Sequence, residues 1–238
     1  VSLLESFQQV QSMRNDDENV RISKIGKLFK VKAADVFTYC VNRKFTITSE
    51  RFISRGDALM VLIYFHMNSK QILENSTIKG ADQEVEVESE TQIDYSNISL
   101  TRQNISNHGF NRFKMEGVDF SHSVLTDVTF VHSNLDNSRF LNVNMTRTDF
   151  SKASLKFVDL KFSRIVDSAL RDVDLLNALF CKAEIVSCDF SGARLENCDF
   201  SNATLDRCDF KKAIFLNTTW INGQVVQNYD EIEKYGTK

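Results

Sequence analysis

Residues 188–212 read CDFSG, ARLEN, CDFSN, ATLDR and CDFKK, and they decide the fold because a large apolar residue returns at every fifth position. A spacing of five matches neither the 3.6-residue period of an α-helix nor the two-residue alternation of a β-strand. It requires a chain that turns a corner every few residues and returns one side chain inward each time. Followed outward, the spacing holds without a break from Tyr95 to Trp220.

A second register lies two residues before each large residue and holds only small side chains from Val118 to Thr218. A small side chain paired with a large one fits the interior of a narrow coil at native packing density. The remaining positions are mostly polar and are predicted to face water. Asp recurs directly before the large residue, where a short side chain can bond the turning backbone, so we interpret these carboxylates as structural rather than catalytic or calcium-binding. They are Asp119, Asp149, Asp159, Asp189, Asp199 and Asp209.

These units resemble the pentapeptide-repeat family, whose motif is a small residue, then Asp or Asn, then Leu or Phe. The resemblance implies a mainly β fold, a right-handed four-sided parallel β-helix with four units per coil, in which residues twenty apart stack at the ~4.8 Å spacing of paired strands. Sorting the large residues by twenty agrees with four sides, because all the aromatic residues except Tyr95 and Phe215 then fall into two opposite columns. One column is Phe110, Phe130, Phe150, Leu170, Phe190 and Phe210, and the other is Leu100, Phe120, Phe140, Leu160, Phe180, Phe200 and Trp220.

Four segments are predicted along the chain. Residues 1–80 lack the five-residue spacing and read as a small α-helical domain, with an apolar helix over 57–73 as its core. Residues 81–92 hold five acids and no base, which is typical of a linker. The β-helix is expected over 93–220, and residues 221–238 should form a short helix that covers the last coil, since an open solenoid end exposes unpaired backbone.

The first coil is expected to be irregular, because Gln103, His108 and Phe113 occupy its small positions. Among the later small positions are Cys188, Cys198 and Cys208, which we interpret as reduced packing residues. Cys188 and Cys208 should stack one coil apart, so a disulfide between them is sterically allowed. The cysteine usage favours a reducing compartment, either the bacterial cytoplasm or a host cytosol if the protein is secreted.

Sequence motifs for catalysis or cofactor binding are absent. The four histidines lack metal-ligand spacing, no CxxC occurs, and no nucleophile-elbow, Walker or dinucleotide glycine pattern is present. No apolar run reaches the eighteen residues of a membrane span. The sequence therefore predicts a protein that is not an enzyme, with no cofactor, no metal and no membrane span, and its net charge of −3 favours no particular partner.

Two groups of residues are candidate binding sites. Phe157, Phe162, Leu176 and Leu179 occupy positions that should face water, and they are expected near one corner of two adjacent coils as a protein-docking patch. The stretch 25–44 weakly resembles a helix-turn-helix and the small N-terminal subdomain of bacterial translation initiation factor two. Either a nucleic-acid surface or a helical cap with a solvated charged face fits its basic residues, which include Lys27, Lys30, Lys32, Arg43 and Lys44.

The sequence is compatible with three alternative functions. The first is a non-enzymatic protein–protein interaction module, either part of a larger protein or a bacterial effector, since some members of the family are effectors with an unrelated domain before the repeats. The second is a DNA-mimicking protein that binds gyrase, like the family's quinolone-resistance members. Residues 91–220 count 15 Lys/Arg against 16 Asp/Glu, a net charge of −1 that disfavours a DNA mimic. The third is a DNA-binding head over residues 1–45 with the β-helix as a spacer.

Overall fold

The computed structural model describes residues 19–21, 52–54, 58, 60, 61 and 95–235, and the chain divides into two units, Val1–Thr91 and Gln92–Lys238. In the first unit, strand β1 (Asn19–Arg21) pairs antiparallel with β2 (Phe52–Ser54). The sequence predicts only helices in this part of the chain, because three-residue strands so far apart carry no readable period. The described residues of the expected 57–73 helix are helical and buried: Ala58, Met60 and Val61. The basic stretch 25–44 and the predicted linker 81–92 lie outside the described residues.

The second unit is a parallel β-helix. Its six-stranded wall is built from β3 (Asn104–Gly109), β4 (Val124–Thr129), β5 (Asn144–Thr146), β6 (Arg164–Val166), β7 (Glu184–Val186) and β8 (Thr204–Asp206). Every paired residue faces the one twenty positions later. The other three walls are joined by isolated parallel bridges with the same offset, such as Ser99↔Asp119, Lys114↔Asn134 and Thr129↔Asp149. The four sides and the twenty-residue pitch are confirmed.

The interior follows the two predicted registers. Every large residue of the five-residue series from Tyr95 to Trp220 is buried, and every small one from Val118 to Thr218 is buried except the partly exposed Cys208. The aromatic rings of each column stack, as Phe120 and Phe140 do at 5.0 Å between centroids. The two columns also meet edge to face across the coil.

Most polar groups in the small register donate to a backbone carbonyl, in the neighbouring coil or in their own, although the buried hydroxyl of Thr148 has no hydrogen-bond partner among the described residues. The hydroxyl of Ser123 donates to the carbonyl of Leu100 at 2.8 Å, and that of Ser138 donates to the carbonyl of Met115 at 3.1 Å. The thiol of Cys198 takes the same place as these hydroxyls. A buried Ser or Cys is therefore tolerated here because its proton has a backbone acceptor within reach.

Each corner turns through a residue with positive φ, two positions after the large inward residue. This left-handed conformation is costly for most side chains and least so for Gly, Asn and Asp. Gly117 and Gly192 are two of these corner residues, and eight Asn and three Asp are among the 23 that are not glycine. The left-handed corners thus explain why Asn and Asp are frequent at the outward-facing corner positions of the β-helix, in addition to the positions directly before its large residues.

The C-terminal end is covered, as predicted. Strand β9 (Thr218–Thr219) turns back and pairs antiparallel with β10 (Val225–Val226), and helix α1 (Tyr229–Tyr235) follows. Val226 and Ile232 are buried, whereas Val225 and Tyr229 are exposed. The first coil keeps the regular register despite its large residues: Gln103 and His108 are buried, and Phe113 stacks on Tyr95 with 4.8 Å between ring centroids.

Candidate protein-docking wall

One wall of the β-helix carries the four apolar residues that sequence analysis selected. We call it the Phe120 wall, after its inward column of Leu100, Phe120, Phe140, Leu160, Phe180, Phe200 and Trp220. Its outward residues run Ser99, Asp119, Arg139, Asp159, Leu179, Asp199 and Thr219, joined in sequence by parallel bridges. Phe157 lies at the corner before Leu160, and Phe162 lies at the corner after it.

The four residues span this wall and both its corners, rather than the single corner expected. Five residues make one full side of the coil, so positions 157 and 162 fall on successive corners. Leu176 lies in the next coil at the corner of Phe157, whose amide donates to its carbonyl at 2.9 Å. Leu179 lies in the middle of the wall, where it bridges Asp159. Both leucines are half-buried.

Phe157 and Phe162 are exceptional among the corner residues. Of the 23 non-glycine residues with positive φ, 21 are Asn, Asp, Ser, His, Lys or Arg, and only these two are apolar. Phe157, with φ of 59°, interrupts a column that is otherwise Asn or Gly: Asn97, Gly117, Asn137, Asn177, Asn197 and Asn217. A bulky residue in this conformation stores roughly 1–3 kcal/mol of strain, which the fold itself does not require.

Both phenylalanines are largely exposed, at 55% for Phe157 and 52% for Phe162. The ammonium group of Lys182, one coil further on, lies 5.4 Å from the centroid of the Phe162 ring. This is the geometry of a cation–π contact. The rings therefore project beside the wall instead of folding into the core, and one of them carries a positive charge on its face.

Basic residues around the wall differ in whether they are neutralised. Lys161 pairs with Asp159 at 3.2 Å, and Lys156 pairs with Asp174 at 3.4 Å. Lys182 and Arg139 form no ion pair with any residue in the described part of the chain. The wall thus combines exposed aromatic rings with a cation at its corner, Lys182, that has no ion-pair partner among the described residues, whereas Arg139 lies between Asp119 and Asp159 in the outward column.

The recurring carboxylates serve the backbone. Each of the six accepts a hydrogen bond from the amide two residues later, for example from Ser121 to Asp119 at 2.9 Å. Burial alone would raise the pKa of Asp189, but the Ser191 hydroxyl and the Arg171 guanidinium outweigh it and hold the pKa below its usual value. Among the residues that the structure describes, no cluster of His, Cys, Asp and Glu could hold a metal ion. The hydrogen bonds of these aspartates to the backbone therefore support a structural role for them.

A second set of exposed apolar residues was not predicted from the sequence. Two of its members, Ile214 and Leu216, occupy positions of the repeat that should face water, so they could have been recognised in the same way as Phe157 and Phe162. These residues lie at the C-terminal end of the β-helix: Ile214, Leu216, Val225 and Tyr229.

The candidate nucleic-acid residues Lys27, Lys30, Lys32, Arg43 and Lys44 lie outside the described residues, so they stay a prediction. Within residues 95–235 and the short described segments before them, no helix has the length and apolarity of a membrane span.

The five-residue repeats of this chain match a known family. The sequence profile of pentapeptide repeats matches residues 110–141, 130–161, 167–197 and 188–219, in eight copies. The β-helix of this chain belongs to the pentapeptide-repeat family. No curated protein matched the sequence.

Three solved structures are similar to this pentapeptide-repeat chain. QnrB1, a plasmid-mediated fluoroquinolone resistance protein, is 18% identical, with 54% of this chain and 70% of its own covered and a TM-score of 0.38. AT2G44920, a pentapeptide repeat protein of the Arabidopsis thaliana thylakoid lumen, is 24% identical over 44% and 70%, with a TM-score of 0.26. Rfr23 from the cyanobacterium Cyanothece 51142 is 18% identical over 52% and 89%, with a TM-score of 0.22. At these values the likeness carries no argument about function.

Proposed function

We propose that the pentapeptide-repeat β-helix is a non-enzymatic protein-binding module and that the Phe120 wall is its contact surface. The observation that carries the proposal is the pair of exposed phenylalanines at two successive left-handed corners, Phe157 and Phe162. Asn or Asp would fill these corners with less strain, as they do at eleven of the other 21, and all 21 are polar. A residue type that weakens the fold where it stands, and exposes a large apolar ring, is best accounted for by a partner.

The energetics favour the rings as anchors. Aromatic side chains dominate interface energies, and hot-spot residues of this kind are each worth about 2 kcal/mol or more when buried by a partner. The two rings flank one wall, with Leu176 and Leu179 beside them in the next coil. A rigid coil holds all four in fixed positions, so little side-chain or loop ordering remains to be done on binding.

The proposed partner is a protein that presents an apolar surface with acidic side chains at its edge. The apolar part would cover the two rings and Leu179. The acidic part would face Lys182, which forms no ion pair with any of the described residues. Complementary charge of this kind contributes mainly to the association rate and to specificity.

The test compares three full-length baits: the wild-type chain, the double variant Phe157→Asn/Phe162→Asn, and Val124→Asn. Asn suits a left-handed corner, so the double variant should fold. Val124 is an exposed apolar residue on the six-stranded wall of β3 to β8, here called the strand wall, and it serves as a matched control. A partner should be retained by the wild type and by the control and lost from the double variant. With that partner purified, the double variant should bind at least about 30-fold more weakly, which corresponds to the loss of about 2 kcal/mol for a single anchor.

Equal retention by the double variant would refute the docking wall. Lys182→Glu provides a second readout, since it should lower the association rate and reduce the dependence of that rate on salt. Loss of binding in Val124→Asn alone would place the contact on the strand wall instead.

A gyrase-binding DNA mimic is the second candidate, and the charges do not favour it. Opposite charges follow one another along the columns, as with Asp127 and Arg147 or Arg164 and Glu184. A DNA mimic needs a continuous negative stripe. Supercoiling by purified gyrase should therefore be unaffected by an excess of this protein, and inhibition would reverse the ranking.

The DNA-binding head remains a third proposal that rests on sequence alone. Salt-dependent DNA retention that disappears in Lys27→Ala/Lys30→Ala/Arg43→Ala would support it, and absence of retention by the wild type would remove it. The effector role, the bacterial source and the cytoplasmic location likewise stay predictions.

A further inference from the structure

The thiols of Cys188 and Cys208 are stacked on each other in adjacent coils. Their neighbours Asp189 and Asp209 form a parallel bridge, and the amide of Asp209 donates to the carbonyl of Cys188 at 2.9 Å. The two sulfurs occupy equivalent places, since Sγ of Cys188 and Sγ of Cys208 each lie 3.5 Å from a carbonyl oxygen of the preceding coil, that of Ile165 and that of Ile185. Adjacent paired strands are ~4.8 Å apart, which lies within the Cα separation that a disulfide spans.

The two thiols differ in environment. Cys188 is 2% exposed, and its Sγ lies 3.5 Å from the carbonyl oxygen of Ile165 in the coil before it. Cys208 belongs to the last coil and is partly exposed, because the residue twenty positions later, Asn228, lies beyond the β-helix. The interaction between the neighbouring thiols raises the pKa of Cys188, which burial raises further, and lowers the pKa of Cys208. The accessible thiol is thus also the one that ionises first.

We infer that Cys208 and Cys188 form a peroxide-sensitive pair that closes to a disulfide and staples the last coil to the one before it. The thiolate of Cys208 attacks one oxygen of hydrogen peroxide, the O–O bond breaks, and hydroxide leaves and takes a proton as water. The sulfur of Cys188 then attacks the resulting sulfenic acid, the S–O bond breaks, and the second water leaves with the Cys188 proton. Two thiols are oxidised and one peroxide is reduced to two waters.

Cys198 provides an internal control. It occupies the same small register, and its Sγ lies 3.0 Å from the carbonyl oxygen of Leu175. Burial raises its pKa to about 12, and the residues stacked below and above it are Ala178 and Thr218. Cys198 is therefore a buried thiol of the same register with neither a low pKa nor a cysteine neighbour. It should stay reduced under conditions that oxidise Cys208.

The test uses the full chain with Cys40→Ser and Cys181→Ser, which leaves only the three inward thiols. After peroxide treatment, remaining thiols are alkylated and the protein is digested with trypsin. Cleavage after Lys182, Arg194, Arg207 and Lys211 places Cys188, Cys198 and Cys208 on separate peptides, 183–194, 195–207 and 208–211. The expected product joins 183–194 to 208–211, loses two hydrogens from the intact mass, reopens with a thiol reductant, and leaves Cys198 alkylated.

Cys188→Ser separates the two steps. Serine fits this register, since Ser168 stacks directly below Cys188 and donates to the carbonyl of Val166 at 2.9 Å. In this variant a dimedone adduct should accumulate on Cys208, and the rise in Tm that oxidation gives the parent protein should disappear. The inference is overturned if both cysteines remain alkylatable after peroxide, if the linkage involves Cys198 or a second chain, or if Cys188→Ser gives no adduct on Cys208.

Discussion

The rings of Phe130 and Phe150 lie face to face, with 4.9 Å between their centroids and 4° between their planes, although a full coil of sequence separates them. This distance is the spacing of paired strands, so the hydrogen bonds of the walls and the contacts of the interior share one repeat. Each ring also meets Phe140 edge to face, at 6.3 Å and 5.8 Å. The rings from Phe110 to Phe150 therefore form one lattice, and Leu160 and Leu170 separate it from a second lattice that runs from Phe180 to Trp220.

Phe150→Ala should reduce the free energy of unfolding by about 3–5 kcal/mol, because it removes a ring from this lattice and leaves a cavity. Urea denaturation followed by circular dichroism measures the change. Phe150→Leu is the matched control, since Leu170 fills the next position of the same column and is buried. It should cost about 1 kcal/mol, and equal losses in the two variants would contradict the packing described.

Ala183→Leu should destabilise the coil by about 1–3 kcal/mol, because its small register has no room for a longer side chain. Ala183 is 1% exposed and precedes the inward Ile185 on strand β7. Thr204→Leu adds an apolar side chain to the outward face of the same wall, and it should change stability by less than about 0.5 kcal/mol. If the outward substitution proved the more harmful one, the inside and outside assignment would be wrong.

Phe157→Asn should leave the fold as stable as the wild type or stabilise it by about 0.5–1 kcal/mol, because Asn adopts the left-handed corner with less strain. The reciprocal change, Asn177→Phe, places a ring at the next corner of the same column and should destabilise by a similar amount. Both are measured by denaturant unfolding. A marked loss of stability in Phe157→Asn would mean that the ring supports the fold and is no evidence for a partner.

Protonation of the Asp199 carboxylate should lower the free energy of unfolding at acidic pH. Burial alone would raise its pKa, but the amide of Ser201 donates to the carboxylate at 2.8 Å and the pKa lies below its usual value. Its contribution is therefore fully present above the unfolded-state pKa and is lost as pH falls through the folded-state pKa, within roughly pH 5 to 2. Asp199→Asn keeps an acceptor for the amide but cannot titrate. Its unfolding free energy should drop less between these pH values than that of the wild type, and identical pH profiles would contradict the assignment.

The sequence predicted the β-helix well because one local rule fixes it. The return of a large residue at every fifth position sets the inward registers. The four sides are what the resemblance to pentapeptide repeats implies, and with them the stacking of Phe130 on Phe150 follows. The same rule could have placed Phe157 and Phe162 on successive corners, since they are one full side apart. Their left-handed conformation was also readable, because the corner column of Phe157 is otherwise Asn and Gly, the residues that favour positive φ.

Other features could not be read in this way. The pairing of β1 with β2 joins strands that are far apart in the chain, and no spacing within either strand announces it. The ion pairs, such as Lys156 with Asp174, depend on which side chains meet across coils. That Lys182 has no ion-pair partner among the described residues therefore emerged only from the structure.

The most direct measurement of the central claim is hydroxyl-radical footprinting of the complex with the captured partner. Phe157 and Phe162 each begin a separate tryptic peptide, 157–161 and 162–164, so their oxidation is read independently. Tyr229, which is exposed on the C-terminal helix, serves as the internal control. Binding should protect both phenylalanines and leave Tyr229 unchanged. Equal oxidation of Phe157 and Phe162 in the free and the bound protein would contradict the docking wall.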